Sequence, residues 1–224
     1  MGGNVLIPHD EHLADLIQVI ASSYPSLKEL ALYRGYGPAQ GNYGDEHLKA
    51  YAFLFENSTW PYLKKFTMDG IVPVLGEEAA IFQAGMLDSF LWRHPLLERV
   101  LIVSVSDRTY PLNITEQALP NLKAVEIRDS NGILPLDVMM DGEIPHSLEF
   151  LTASISKASL AILPNMIALR SCNISMPFDL LPSFCDAIPS TVERIRLSLS
   201  RSVNNADRTD ILSTGIDVSL SLLN

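Results

Sequence analysis

The sequence predicts an α/β solenoid in which a parallel sheet lines a concave face and helices or turns lie outside it. One phrase recurs along the chain, as YPSLKELAL, WPYLKKFTM, HPLLERVLI, LPNLKAVEI, IPHSLEFLTAS, LPNMIALRSC and IPSTVERIRLSLS. Aligned on an apolar residue two or three places after each proline, the anchors are Leu27, Leu63, Leu97, Leu122, Leu148, Met166 and Val192. The pattern L-x-x-L-x-L then continues, strictly or loosely, at +3 and +5: Leu30 and Leu32, Phe66 and Met68, Val100 and Ile102, Val125 and Ile127, Leu151 and Ala153, Leu169 and Ser171, Ile195 and Leu197. Alternation sends the last pair of each unit to one face of a short strand, while the anchor fills the turn that leads in. Between the first strands the period changes to a helical one.

Taken in order, Val5, Leu6 and Ile7 read as a strand, and HLADLIQVIASS as the first helix, with Asp10 as its candidate cap. The strand from Leu27 leads into RGYGPAQGNYGDE, whose glycines, proline and asparagine are turn chemistry. EHLKAYAFLFENS, capped by Asp45, and EEAAIFQAGMLDSFLWR are the next helices, and Pro25, Pro61 and Pro95 stop the three helices just before the strands. Some of Tyr51, Phe53 and Phe55 are expected against the sheet and the rest at an edge. ILPLDVMMDGEIP, with Pro135 well past the strand near Arg128, is an irregular link. The unit from Leu148 is too short for a regular helix and takes a single tight turn. DVSLSLL alternates as a strand opening a further unit. The pattern L-x-x-L-x-L with a helical or turn return is that of a leucine-rich repeat, although the anchors lie 36, 34, 25, 26, 18 and 26 residues apart where such repeats usually run about 20 to 29. Residues 1–224 therefore form one domain of about seven irregular repeats. Neither end offers a polar cap, so the natural ends lie elsewhere or are covered.

With 47% hydrophobic and 19% charged residues the chain has ample core and is folded throughout. Its net charge of −10 and pI near 4.9 argue against a general nucleic-acid or anionic-membrane binder. No apolar run reaches the roughly 18 residues of a membrane span and no secretory leader is recognisable, which places the chain inside the cell, in cytoplasm or nucleus. The sequons at Asn57, Asn113 and Asn173 are then chance occurrences.

Catalytic and metal-binding patterns are weak. His9 and His12, with Asp10 or Glu11, have metal-ligand spacing, but an acidic helix start accounts for the same residues. His47, His94 and His146 read as ordinary boundary residues. Cys172 and Cys185 stand without a CxxC partner, as two reduced, independent thiols. No GxSxG, phosphate-binding glycine loop or HExxH occurs. The expectation is a protein that is not an enzyme and has no cofactor, metal or catalytic residue.

On the strands, residues flanking the buried pair face the concave side. They run from Glu29, Ala31 and Tyr33 through Lys65, Thr67 and Asp69, then Arg99, Leu101 and Val103. Ala124, Glu126 and Arg128 follow, then Phe150, Thr152 and Ser154, Ala168, Arg170 and Cys172, and Arg194, Arg196 and Ser198. Arg128, Arg170, Arg194 and Arg196 reverse the sign of the chain locally, which suits an acidic or phosphorylated segment of another protein. A solvated strand face that uses arginine for its long stem explains them equally. Leu101, Val103 and Phe150 add an apolar centre. Arg99, Leu101, Val103, Glu126, Arg128, Phe150, Arg170, Arg194 and Arg196 are thus the expected partner-binding residues.

FENSTWPYLKKFTM, FLWRHPLLERVLI and ALPNLKAVEIRDS, over roughly residues 10 to 200, resemble the leucine-rich-repeat regions of fungal F-box-like proteins. The resemblance implies a binding scaffold that selects a protein substrate for a cullin-based ubiquitin ligase. The same architecture also suits a structural subunit of a larger assembly with no ubiquitin link.

Overall fold

The computed structural model describes residues 3–6, 13–33, 53–69, 85–103, 114–129, 132–133, 135–139, 145–200 and 216–221. His9, Asp10, Glu11, His12, Asp45, His47, Tyr51, Asn113, Ser130 and the glycine-rich stretch after Tyr33 lie outside them. The chain is α/β and its centre is one ten-stranded sheet. The strands are β1 (Gly3–Leu6), β2 (Glu29–Tyr33), β3 (Lys65–Asp69), β4 (Arg99–Val103), β5 (Ala124–Asp129), β6 (Gly132–Ile133), β7 (Phe150–Ser154), β8 (Ser171–Pro177), β9 (Arg194–Ser200) and β10 (Ile216–Ser221). Their order is β1-β2-β3-β4-β5-β7-β8-β9-β10, with β6 on β5. From β1 to β9 the neighbours on this path pair in parallel.

One reverse turn, repeated seven times, leads into the strands from β2 to β9 other than β6. The carbonyls of Tyr24, Trp60, His94, Leu119, Pro145, Met166 and Pro189 accept the amides of Leu27, Leu63, Leu97, Leu122, Leu148, Leu169 and Val192, at 3.0–3.2 Å. In the first four units a proline (Pro25, Pro61, Pro95, Pro120) occupies the second turn position, where its fixed φ matches the turn. The recurring proline therefore both bars the helix from continuing and seeds the turn. After each turn, one carbonyl receives two amides of the next unit. Lys28 accepts from Lys64 and Lys65, Lys64 from Glu98 and Arg99, and Glu98 from Lys123 and Ala124. Lys123, Glu149 and Arg170 repeat the pattern with Glu149 and Phe150, Arg170 and Ser171, and Glu193 and Arg194. A slip of one residue would break this ladder and turn the buried face outward, so the register is fixed twice over.

That register corrects the sixth unit. Leu169, not Met166, closes its turn, and the buried strand pair is Cys172 and Ile174. The last three anchors become Leu148, Leu169 and Val192, spaced 21 and 23 residues apart, which removes the irregular spacing expected there. Pro164 belongs instead to a short 3-10 helix, Leu163–Asn165, that follows another at Ser159–Ala161. The return between β7 and β8 thus lacks a regular helix, as expected, but takes two 3-10 turns where a single tight turn was expected. A second correction concerns the last strand: β10 runs antiparallel to β9, so it does not open a further parallel unit. At the β5–β7 junction only three residue pairs form. Beyond them β6 folds back on Arg128 and Asp129, and Pro135 bridges to Ser154.

Leu30, Leu32, Phe66, Met68, Val100, Ile102, Val125, Ile127, Leu151, Ala153, Cys172, Ile174 and Leu197 form the buried face of the sheet, with Leu63, Leu97, Leu122, Leu148, Leu169 and Val192 beneath the turns. The described helices are Leu13–Ser23, residues 53–57, Met86–Trp92, the single turn Leu136–Met139, and Leu181–Ala187. Phe55 is buried and Phe53 exposed, the division expected for that helix. Leu136 and Met139 bring the irregular link into the core. Gly85, which precedes Met86, has φ +87° with open space where a Cβ would stand, so the backbone conformation alone requires glycine.

Phe90 is the centre of an aromatic joint between the second and third units, with ring centroids 5.1 Å from Phe55 and Phe66 and 6.4 Å from Trp60. His94 is part of this joint and not the boundary residue its isolation in sequence implies. It is 1% exposed. Its Nε2 accepts the Trp60 amide at 3.0 Å, and its Nδ1–H donates to the Phe90 carbonyl at 2.6 Å. Those two bonds define a neutral imidazole. Burial lowers its pKa, against the pull of the Phe90 carbonyl, and neighbouring Arg93 adds to the lowering.

Candidate interaction surface

Strand alternation puts three rows of side chains on the face opposite the core. The first row is Glu29, Lys65, Arg99, Ala124, Phe150, Ser171 and Arg194, one residue from each strand in register. The second is Ala31, Thr67, Leu101, Glu126, Thr152, Asn173 and Arg196. The third begins Tyr33, Asp69, Val103 and Arg128, is interrupted by β6, and resumes with Ser154, Ser175 and Ser198. Eight of the nine residues expected to bind a partner therefore share this face.

Arg170 is the exception. The register places it one residue before β8, in the row of Lys28, Lys64, Glu98, Lys123, Glu149 and Glu193 that rims the sheet. There Arg170 pairs with Glu193 at 2.6 Å, as Lys64 does with Glu98 at 2.5 Å. Cys172 is likewise off the face: it is buried, and burial pushes its thiol up to about 12, so it behaves as a small hydrophobe. Ala168 lies in the preceding turn. Ser171, Asn173 and Ser175 take the three places. The signal for them was the Cys-x-Ile pair, once cysteine is read as an apolar strand residue. Cys185 is exposed, and both thiols are unbridged.

The cations of the face differ in their surroundings. Lys65 pairs with Glu29 at 2.6 Å and holds that carboxyl below its usual range. Arg128 donates through Nε to Glu126 at 2.6 Å, two residues away on the same strand. Arg99 and Arg194 are exposed, and among the described residues neither has an ion-pair partner. Arg196 is exposed next to Arg194 on the same strand face. Leu101, Val103 and Phe150 are half-buried; the first two are on β4 and Phe150 is on β7, with Ala124, Glu126 and Arg128 of β5 between them.

Thr152 sits in the middle of the face, fully buried, and its hydroxyl has no hydrogen-bond partner. A buried hydroxyl without a partner costs free energy that valine, of nearly the same shape, would not. Thr152→Val is expected to raise the unfolding free energy by about 1 kcal/mol, read from urea denaturation. A loss of that size would mean that the hydroxyl has a partner after all.

Behind the face, Asp137 ties the irregular link to the start of the first 3-10 helix. Its carboxylate accepts the hydroxyls of Ser156, at 2.7 Å, and of Ser159. Burial raises the Asp137 pKa, but these two bonds together with one from its own backbone amide outweigh it and hold the carboxyl below its ordinary value. Ser156 also accepts the amides of Ala158 and Ser159 at 3.1 Å, so the cluster is fully occupied in holding the turn. Among the described residues no group of three or more metal-ligating side chains occurs, and no helix is long and apolar enough to cross a membrane. Compared with family models, curated proteins and solved structures, the chain matches none.

Proposed function

We propose that this chain is a leucine-rich-repeat solenoid whose sheet face binds another protein, as the substrate-recognition part of an F-box-type ubiquitin ligase. The observation that carries the binding role is the face itself. Seven strands present it in one register, and it carries the half-buried Leu101, Val103 and Phe150 among exposed arginines in a chain of net charge −10. Protein interfaces combine those features: an apolar centre, arginine in quantity and a polar rim. Curvature follows from the small rotation between stacked units and makes such a face concave. The ligase role rests on the resemblance of repeat style alone.

Affinity capture from cell extract, with bound proteins identified by mass spectrometry, tests both parts. Phe150→Asp puts a charge at the half-buried apolar centre of the face and is expected to cut recovery of a specific partner at least ten-fold, roughly the effect of losing a central interface side chain. Circular dichroism confirms that the variant is folded. Undiminished recovery by a folded variant would remove the sheet face from the reading. Recovery of cullin-ligase adaptors supports the ubiquitin role, whereas one stoichiometric partner without ligase components would make the chain a structural subunit.

A further inference from the structure

We propose that the row Arg99, Ala124, Phe150, Ser171 and Arg194 is a two-ended clamp for an extended acidic segment of a partner protein. An apolar side chain of that segment rests on Phe150, and carboxylates three residues to either side meet Arg99 and Arg194. The inference rests on the reading of this face as the protein-binding one, and adds the chemistry and spacing of what it binds.

The five residues come from β4, β5, β7, β8 and β9 and are register partners in sequence across the sheet. Phe150 is the middle one, two strands from each arginine. Adjacent strands lie about 4.8 Å apart, so each arginine is about 10 Å from Phe150 along the row; a segment in the extended polyproline II form rises about 9 Å over three residues and, with three residues per turn, brings every third side chain to the same side. Ala124 and Ser171 are small, so the half-buried Phe150 ring stands between low neighbours.

Charge selects the occupant. The row from Arg99 to Arg194 contains no carboxylate. The nearest acid in the next row, Glu126, is bound to Arg128, and Glu193 beside Arg194 is bound to Arg170. Arg99 and Arg194 are thus exposed and outside every ion pair among the described residues, in a chain of net charge −10, although Arg99 also contributes to the field that lowers the Glu29 pKa. Each guanidinium offers a planar fork that takes a carboxylate through two hydrogen bonds. A ligand with two acids on either side of one apolar residue matches the row at all three points.

The test titrates the full chain into a fluorescein-labelled synthetic peptide with glutamates three places before and after a leucine, and serine and glycine elsewhere, followed by anisotropy. Saturable binding is expected. A peptide of the same composition with both glutamates next to the leucine should bind about ten-fold more weakly, and Arg99→Ala and Arg194→Ala should each weaken the first peptide by about the same factor, the scale of one close charge pair. The double variant Arg99→Glu/Arg194→Glu should prefer a peptide with lysines in place of the glutamates. Both arginines are exposed, and an unchanged melting curve shows that the variants are folded. The proposal is overturned by no saturable binding, by equal affinity for the rearranged peptide, or by arginine variants that bind as well as the parent. Binding only when phosphoserines replace the glutamates would also overturn it, in favour of a phosphorylated ligand. If the peptide fails while Phe150→Asp still abolishes partner capture, the clamp falls and the binding face stands. If neither effect appears, both fall.

Discussion

Truncation of Phe90 to alanine lowers the unfolding free energy by about 4 kcal/mol. The ring is fully buried and contacts Phe55, Phe66, Trp60 and His94, which come from the helical segment before β3, β3 itself, the turn into β3 and the turn into β4. Removing it opens a cavity whose walls belong to two units held by their own backbone ladders, so the walls close in only partly. Urea denaturation followed by circular dichroism reads the change. A loss below about 1 kcal/mol would mean that the joint repacks freely, unlike most aromatic cores.

His94 gives the second large effect, and gives it a pH dependence. His94→Leu leaves the Trp60 amide buried without an acceptor, and about 2 kcal/mol is the expected loss at neutral pH. In the parent protein the folded-state pKa lies below the unfolded value of about 6.5. The unfolded chain therefore takes up the proton first. The stability contributed by neutral His94 is complete above about pH 6.5 and falls as pH drops from there toward the folded pKa. Protonation would put a second donor against the Trp60 amide. Melting temperatures measured from about pH 7.5 down to 5 should fall more steeply for the parent than for His94→Leu. Parallel slopes would show that His94 carries no part of the acid sensitivity.

Much of the sheet was legible because strand alternation is a local signal. Leu30 and Leu32, or Val100 and Ile102, announce their face without knowledge of any neighbour, and the residues between them follow. The sixth unit misled for a specific reason. Its turn, Met166 to Leu169, contains no proline, while Pro164, three residues before the second turn position at Ile167, belongs to the 3-10 helix Leu163–Asn165. Alignment on proline thus moved the unit by three residues, put Arg170 where Asn173 stands, and placed a buried cysteine on the open face. The direction of β10 was not legible either, since alternation identifies a strand and says nothing of its sense. His94 was missed because its role is set by a backbone amide 34 residues away. The same holds for the rim pairs. Glu126 and Arg128 are two apart on one strand and readable as a pair, but Arg170 with Glu193 exists only through the register of neighbouring units.

The short ladder between β5 and β7 also has a mechanical meaning. Each strand in the path leans only on the strands beside it, so cooperativity passes along the array through single interfaces, as it does in a one-dimensional chain of coupled elements. Five residue pairs couple β2 to β3, β3 to β4, β4 to β5 and β7 to β8, and seven couple β8 to β9, but three couple β5 to β7. That interface is the line of least resistance. It lies between Ala124 and Phe150, inside the row that joins Arg99 to Arg194. Any flexing of the sheet there changes the separation of the two arginines, and a segment held at both ends would brace the crease and couple the two halves into a single cooperative block.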